Sequence, residues 1–248
     1  MMQLMVDGRN VLGECVLWCE RSARVLWTDI EQSVLHAWSP EAGLRTWRLP
    51  ERLCSFALTE QPSRLLVGLA SGLAFFDLEQ ETLVRIVEVE AALPSTRLND
   101  GRCDRQGRFV FGTFNQDEQP KAPLGGFYRL NHDLSLERLP LGGVAIANSI
   151  CFSPDGGTMY YADSATGEIR CCDYPSLGGE RVFVAAGAVA GDPDGAVIDA
   201  EGCLWSARWG ASQVARFTPQ GRLERVVELS APSPVARRLA AQPWTCCM

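Results

Sequence analysis

Residues 97–113 read RLNDGRCDRQGRFVFGT. The second half, DRQGR followed by FVFGT, is a glycine-bearing turn leading into a strand with apolar alternation. The same grammar of turn, short strand, turn and second strand recurs in CERSARVLWTDIEQSVLHAWSP, TEQPSRLLVGLASGLAFFDLE, SPDGGTMYYADSATGEIRCCDY and DAEGCLWSARWGASQVARFTPQG. Aligned on the residue before each first strand, the segments fall on Ala23, Ser63, Gly107, Gly157 and Gly202. The intervals are about 40, 44, 50 and 45 residues, the blade length of a β-propeller.

Helical periodicity is not sustained anywhere. The best candidate, LEQETLVRIVEVEAAL, contains VRIVEVE, which alternates with period two and reads as a strand. The chain is therefore expected to be all-β, with residues 1–248 forming one propeller domain. Extrapolating the repeat puts a sixth unit near residue 247, whereas the sequence stops at Met248. The last stretch, APSPVARRLAAQPWTCCM, lacks the two-strand grammar, so 230–248 reads as an atypical tail. Periodicity alone allows a five-bladed ring, or a six-bladed ring whose last blade is cut short by a C-terminal truncation.

Composition excludes several function classes. The 248 residues carry a formal net charge of −7, and the densest basic cluster is only Arg237 with Arg238, so no nucleic-acid surface is expected. No apolar run approaches a membrane span, and the N-terminus lacks a basic region followed by an apolar core. The ten cysteines include no CxxC pair, which argues against structural zinc and for buried free thiols in a reducing, cytoplasmic setting. His36 and His132 have no serine or cysteine elbow to serve, so a nucleophilic triad is not expected.

The first half of the opening stretch carries the chemistry. Asn99 precedes the blade-marking Gly107 by eight positions, and Asp194 precedes Gly202 by eight. Glu14 precedes Ala23 by nine, and Asn148 precedes Gly157 by nine. Equivalent positions in a radial repeat lie at one height around the axis, so these four oxygen-bearing side chains would ring the channel. Two carboxylates and two amides, without sulfur or imidazole, suit Ca²⁺, Mg²⁺ or Mn²⁺, and zinc can be accommodated. Arg97, on the same strand face as Asn99, is placed to hold an oxygen-rich ligand. The competing reading is that Asn-Asp-Gly and Pro-Asp-Gly are simply turns. Asp100, Asp155 and Asp199 are read that way, and Asp29 and Asp163 as strand-end caps. Glu14 in LGECVLW has no turn role.

LGECVLW, RLNDGRCDRQGRFVFGT, NSICFSPDGGTMYYADS and PDGAVIDAEGCLW, in this order, resemble the family of regucalcin (senescence marker protein), gluconolactonase and luciferin-regenerating enzyme. The resemblance runs from about residue 10 to about residue 230. It implies a six-bladed propeller with one divalent cation (Ca, Zn, Mn or Mg) held by Glu14, Asn148 and Asp194. It further implies substrate contacts from Arg97, Asn99 and, in a variable loop, Asp117. The implied activity is metal-assisted hydrolysis of a sugar lactone such as glucono-, arabinono- or xylonolactone, with Asp194 also the general base. Cys15 and Val16 stand where members usually carry Gly or Ser and then Pro, and the strands expected after residue 230 are missing. The alternatives are a calcium-binding regulatory propeller without turnover, a propeller acting on another ester, and an inactive truncated homologue.

Overall fold

The computed structural model describes residues 4–117 and 120–229. Twenty strands form five antiparallel four-stranded sheets, each built from consecutive strands. The first sheet holds β1 (Gly13–Cys19), β2 (Arg24–Asp29), β3 (Val34–Ser39) and β4 (Gly43–Arg48). The second holds β5 (Leu53–Leu58), β6 (Arg64–Leu69), β7 (Gly72–Asp77) and β8 (Thr82–Glu88). The third holds β9 (Thr96–Cys103), β10 (Phe109–Asn115), β11 (Phe127–Leu130) and β12 (Leu136–Arg138). The fourth holds β13 (Ala147–Phe152), β14 (Thr158–Asp163), β15 (Glu168–Asp173) and β16 (Arg181–Val184). The fifth holds β17 (Asp192–Ile198), β18 (Leu204–Trp209), β19 (Gln213–Phe217) and β20 (Leu223–Glu228).

The gradient of burial explains the radial arrangement. The first strands β5 and β13 are buried at every position, and each packs against the first strands of the adjacent sheets. The last strands β4 and β20 are mostly exposed and carry arginines and glutamates. Between sheets lie four apolar clusters. Phe56 and Trp47 belong to the one between the first two sheets, Phe109 and Leu66 to the next, Phe127 and Tyr161 to the third, and Leu204 and Ile169 to the fourth. Each fully buried Phe or Leu contributes about 1.5–3 kcal/mol, so these interfaces are the main stabilising term.

The turns follow from local chemistry. In DRQGR, Asp104 Oδ1 accepts the N–H groups of Gln106 at 2.8 Å and Arg108 at 2.9 Å, while Gly107 takes the left-handed conformation at φ 82°. Asp199 repeats this in the fifth sheet, accepting from Glu201 and Cys203, with Gly202 at φ 78°. Asp155 accepts from Gly157 N–H at 3.0 Å. All three are turn residues.

One expectation is corrected. Among the described residues the fold is a five-bladed propeller, not the expected six-bladed one with an incomplete last blade. Every described strand belongs to a complete four-stranded sheet, and the first sheet is filled by β1–β4 alone, leaving no partial blade. The five turn-strand segments in the repeat map onto these five sheets, and the sixth blade had been carried by family resemblance. The atypical tail at 230–248 lies outside the described residues. No helix among the described residues is long and apolar enough to cross a membrane.

Candidate functional site: a ring of oxygen donors at strand bulges

All five innermost strands break register at the same level. The irregularity falls between Glu14 and Leu17 in β1, between Leu53 and Ser55 in β5, and between Asn148 and Cys151 in β13. In β17 it falls between Pro193 and Ala196, and in β9 opposite Phe111 to Thr113, where Asn99 and Asp100 face Gly112. A bulge re-aims side chains out of the strict two-face alternation. Glu14, Asn99, Asn148 and Asp194 thus stand at or beside equivalent bulges, near the starts of their strands. Cys54 takes this place in the second blade. Two of the bulges contain non-glycine residues in the left-handed region, Cys15 at φ 49° and Ser149 at φ 58°, each directly after a candidate ligand. Such backbone persists only where its surroundings enforce it.

Hydrogen bonds link the donors of adjacent blades. Arg97 Nη1 donates to Asn99 Oδ1 at 2.7 Å and to its neighbour Leu98 O at 2.8 Å, and contacts Cys54 Sγ at 3.7 Å. Its guanidinium lies 4.5 Å from the Phe114 ring centroid, and its buried Nε has no hydrogen-bond partner. Asn99 Nδ2 donates to Ala147 O at 2.9 Å and, at 3.4 Å, to Asn148 Oδ1. Asn148 Nδ2 donates to Ser164 Oγ at 2.9 Å, which turns the amide oxygen away from Ser164 and towards Asn99.

The electrostatics are those of crowded carboxylates. Asp194 is buried, whereas Glu14 keeps some accessible surface although it lies deep among protein atoms, as a channel-facing side chain does. Burial, reinforced by Asp100, pushes Glu14 up to about 8, against which Arg97 works in the other direction. Burial, then Glu14 and Asp100, holds Asp194 well above the ordinary carboxylate range. Asp100 is itself raised by burial, with Arg102 opposing. Crowded carboxylates on the same ring as an oriented amide oxygen make a hard-oxygen donor set, and Glu14, Asn148 and Asp194 are the residues that could hold a divalent cation.

The remaining expected residues divide. Asp117 is exposed, in the loop after β10. Its backbone N–H donates to Asn115 Oδ1 at 3.1 Å and its carbonyl accepts from Lys121 Nζ at 2.6 Å. Among the described residues, the hydrogen bonds of Asp117 are made by its backbone and involve neither Arg97 nor Asn99. Asp100 was read as a turn residue, but lies inside β9, facing Glu14 and Asp194 electrostatically and accepting the Ile150 N–H at 2.9 Å. Asp29 accepts the N–H groups of Val11 at 2.8 Å and Leu12 at 3.1 Å, and Asp163 those of Ala145 and Ile146. Both aspartates fix the chain just ahead of an innermost strand. Cys15, Cys19, Cys54, Cys151, Cys171, Cys172 and Cys203 are free thiols, six of them buried. Asp199, Glu201 and Cys203 bring possible ligand atoms within 4.8 Å of one another, but Arg216 neutralises the two carboxylates.

Comparison with known proteins places this geometry in context. A protein of Azospirillum brasilense named L-arabinolactonase is 52% identical over 223 residues, covering 88% of this chain and 74% of its own length. A 6-deoxy-6-sulfogluconolactonase of Pseudomonas putida is 32% identical over 233 residues, covering 92% of this chain and 79% of its own. Among solved structures, a regucalcin of Agrobacterium tumefaciens, described as a calcium-binding protein, superposes with a TM-score of 0.85 at 29% identity, covering 92% of this chain and 77% of the other. Residues 12–239 match the SMP-30/Gluconolactonase/LRE-like region. The chain belongs to the SMP-30/gluconolactonase/LRE-like family.

Proposed function

We propose that this protein hydrolyses a sugar lactone to its aldonic acid at the bulge ring, with arabinono-lactone the first substrate to test. The observation that carries the reading is the meeting of Arg97, Asn99, Asn148, Glu14 and Asp194 at one level of the innermost strands. The 52% identity to a named L-arabinolactonase supports the substrate class.

The chemistry required is addition of water to the lactone carbonyl, breakage of the ring C–O bond, and protonation of the departing ring oxygen. A divalent cation held by Glu14, Asn148 and Asp194 supplies Lewis-acid polarisation of the carbonyl when bound. Asp194 takes the proton from the attacking water and returns it to the ring oxygen, so the ring opens to the hydroxy acid with atoms in balance. The unpartnered Nε of Arg97 donates to a substrate oxygen, and Asn99 holds that arginine in place. Phe114 beneath the guanidinium fixes its plane. Asp117, in the loop after β10, would contact substrate only if that loop reaches over the ring.

The test is acid release from arabinono-, xylono- and gluconolactone by the purified protein, with and without a chelator. Chelator-sensitive release above the buffer rate is expected for at least one, and its absence with all three overturns the reading. Similarity to a regucalcin described as calcium-binding favours a second reading, cation binding without turnover. Calcium binding with no hydrolysis of any lactone would select it.

A further inference from the structure

Two hydroxyl groups of the fourth blade grip consecutive carbonyls of the fifth. Ser149 Oγ donates to Asp194 O at 2.6 Å, and Ser164 Oγ donates to Pro193 O at 2.6 Å. Both serines are buried. The carbonyls they hold open the bulge of β17, whose register breaks between Pro193 and Ala196. Each serine is also tied to Asn148. Ser149 is the next residue in the chain, and Ser164 Oγ accepts the Asn148 amide N–H at 2.9 Å.

Ser149 holds its carbonyl from a left-handed backbone, φ 58°, an uncommon conformation for a residue with a side chain. The conformation is braced from the third blade, where Asp100 Oδ2 accepts the following N–H, that of Ile150, at 2.9 Å. Asn148, Ser149, Ser164, Pro193 and Asp194 are therefore one connected unit spanning two blades.

We infer that Ser149 and Ser164 are positioning residues that set the relative placement of Asn148 and Asp194. The geometry supplies the reason. A carboxylate and an amide from different blades have no shared backbone to fix their separation, and apolar contacts between blades are not directional. Hydroxyl bonds to the two carbonyls of the bulge fix the peptide planes from which Asp194 projects. The Ser164 bond to Asn148 fixes which end of that amide faces the channel. Partners of this kind are worth about 10–100-fold in metal affinity or activity. The inference rests on the proposed reading of the site.

The test compares Ser149→Gly and Ser164→Ala with the parent protein, using Mn²⁺ titration calorimetry, lactone kinetics and thermal melting. Glycine adopts the left-handed conformation freely, so Ser149→Gly removes the hydroxyl while relieving backbone strain. The expected result is Mn²⁺ affinity weakened by about tenfold and kcat lowered by about tenfold, with KM within about twofold and a melting temperature no lower than the parent's. Ser164→Ala is expected to weaken Mn²⁺ binding similarly. Parent-like Mn²⁺ affinity and kcat in Ser149→Gly would overturn the role assigned to the clamp, even if Ser164→Ala fails to fold. A parent protein that binds Mn²⁺ but turns over no lactone would count against the lactonase reading alone, and the calorimetry would still decide the clamp.

Discussion

Arg97 and Asn99, two positions apart on β9, are joined by a 2.7 Å hydrogen bond from Nη1 to Oδ1, so the strand presents them as one unit. The arginine leaves Nε without a partner in a buried setting, a cost that a bound oxygen ligand would remove. Arg97→Met, which keeps the stem but removes every donor, is expected to raise KM by about 10–100-fold with a smaller change in kcat. Steady-state kinetics on the best lactone checks this. A fall in kcat alone would place Arg97 on the transition state instead.

Asp194 is assigned two tasks, cation ligand and proton carrier. Asp194→Asn preserves shape and removes the charge, and should lower kcat by about 10²–10⁴-fold. In the metal-free protein the same change removes a carboxylate that Glu14 and Asp100 both repel, so melting should not fall. Activity and melting together separate a chemical loss from a folding loss.

The metal-free protein should lose stability as pH rises. Glu14 has an ordinary value of 4.5 and stands at about 8 in the fold, so between these limits the folded state keeps a proton that the unfolded state has released. Stability then falls with pH across that window and levels off above it. Asp194, also raised, acts in the same direction. A cation that binds only the native state should produce a melting increment that grows from pH 5 to pH 8. A metal-free melting temperature that climbs across this range would contradict the crowding of these carboxylates.

Asp29 is a structural counterpart to the site. Its buried carboxylate accepts the N–H groups of Val11 and Leu12 just ahead of Glu14. Asp29→Ala leaves those donors short of a partner and should cost about 3 kcal/mol in chemical denaturation, with Mn²⁺ binding weakened as β1 loosens. Unchanged denaturation would show that water replaces the carboxylate there.

The spacing of turns was enough to find four positions that the structure places at or beside equivalent bulges, because a radial repeat turns sequence offset into height. Glu14 was legible for a plain reason: a glutamate between Gly13 and Cys15, ahead of an apolar strand, has no turn to make. Asp100 was misread because adjacent residues in a regular strand point to opposite faces, and Asn-Asp-Gly is an ordinary turn sequence. At a bulge that alternation fails, and Asp100 comes to face Glu14 and Asp194 as well. Cys54 escaped notice because its blade offers a thiol where the others offer oxygen. The Ser149 and Ser164 contacts cross between blades and leave no periodic trace. The sixth blade was drawn from resemblance where the internal repeat stopped at five.

Glu14 belongs to the first sheet and Asp194 to the last described one, about 180 positions later, yet Glu14 raises the cost of ionising Asp194. A ligand gripped by both would act as a clasp on the fold, joining two sheets far apart in the chain and meeting the entropy cost of closing the long loop between them. Hydrogen exchange should then be slowed most in β1 and β17 when the clasp is fastened, and opening should begin in the sheets between them. The order in which blades come apart would thus be set by the occupant of the channel rather than by the depth of each blade's core.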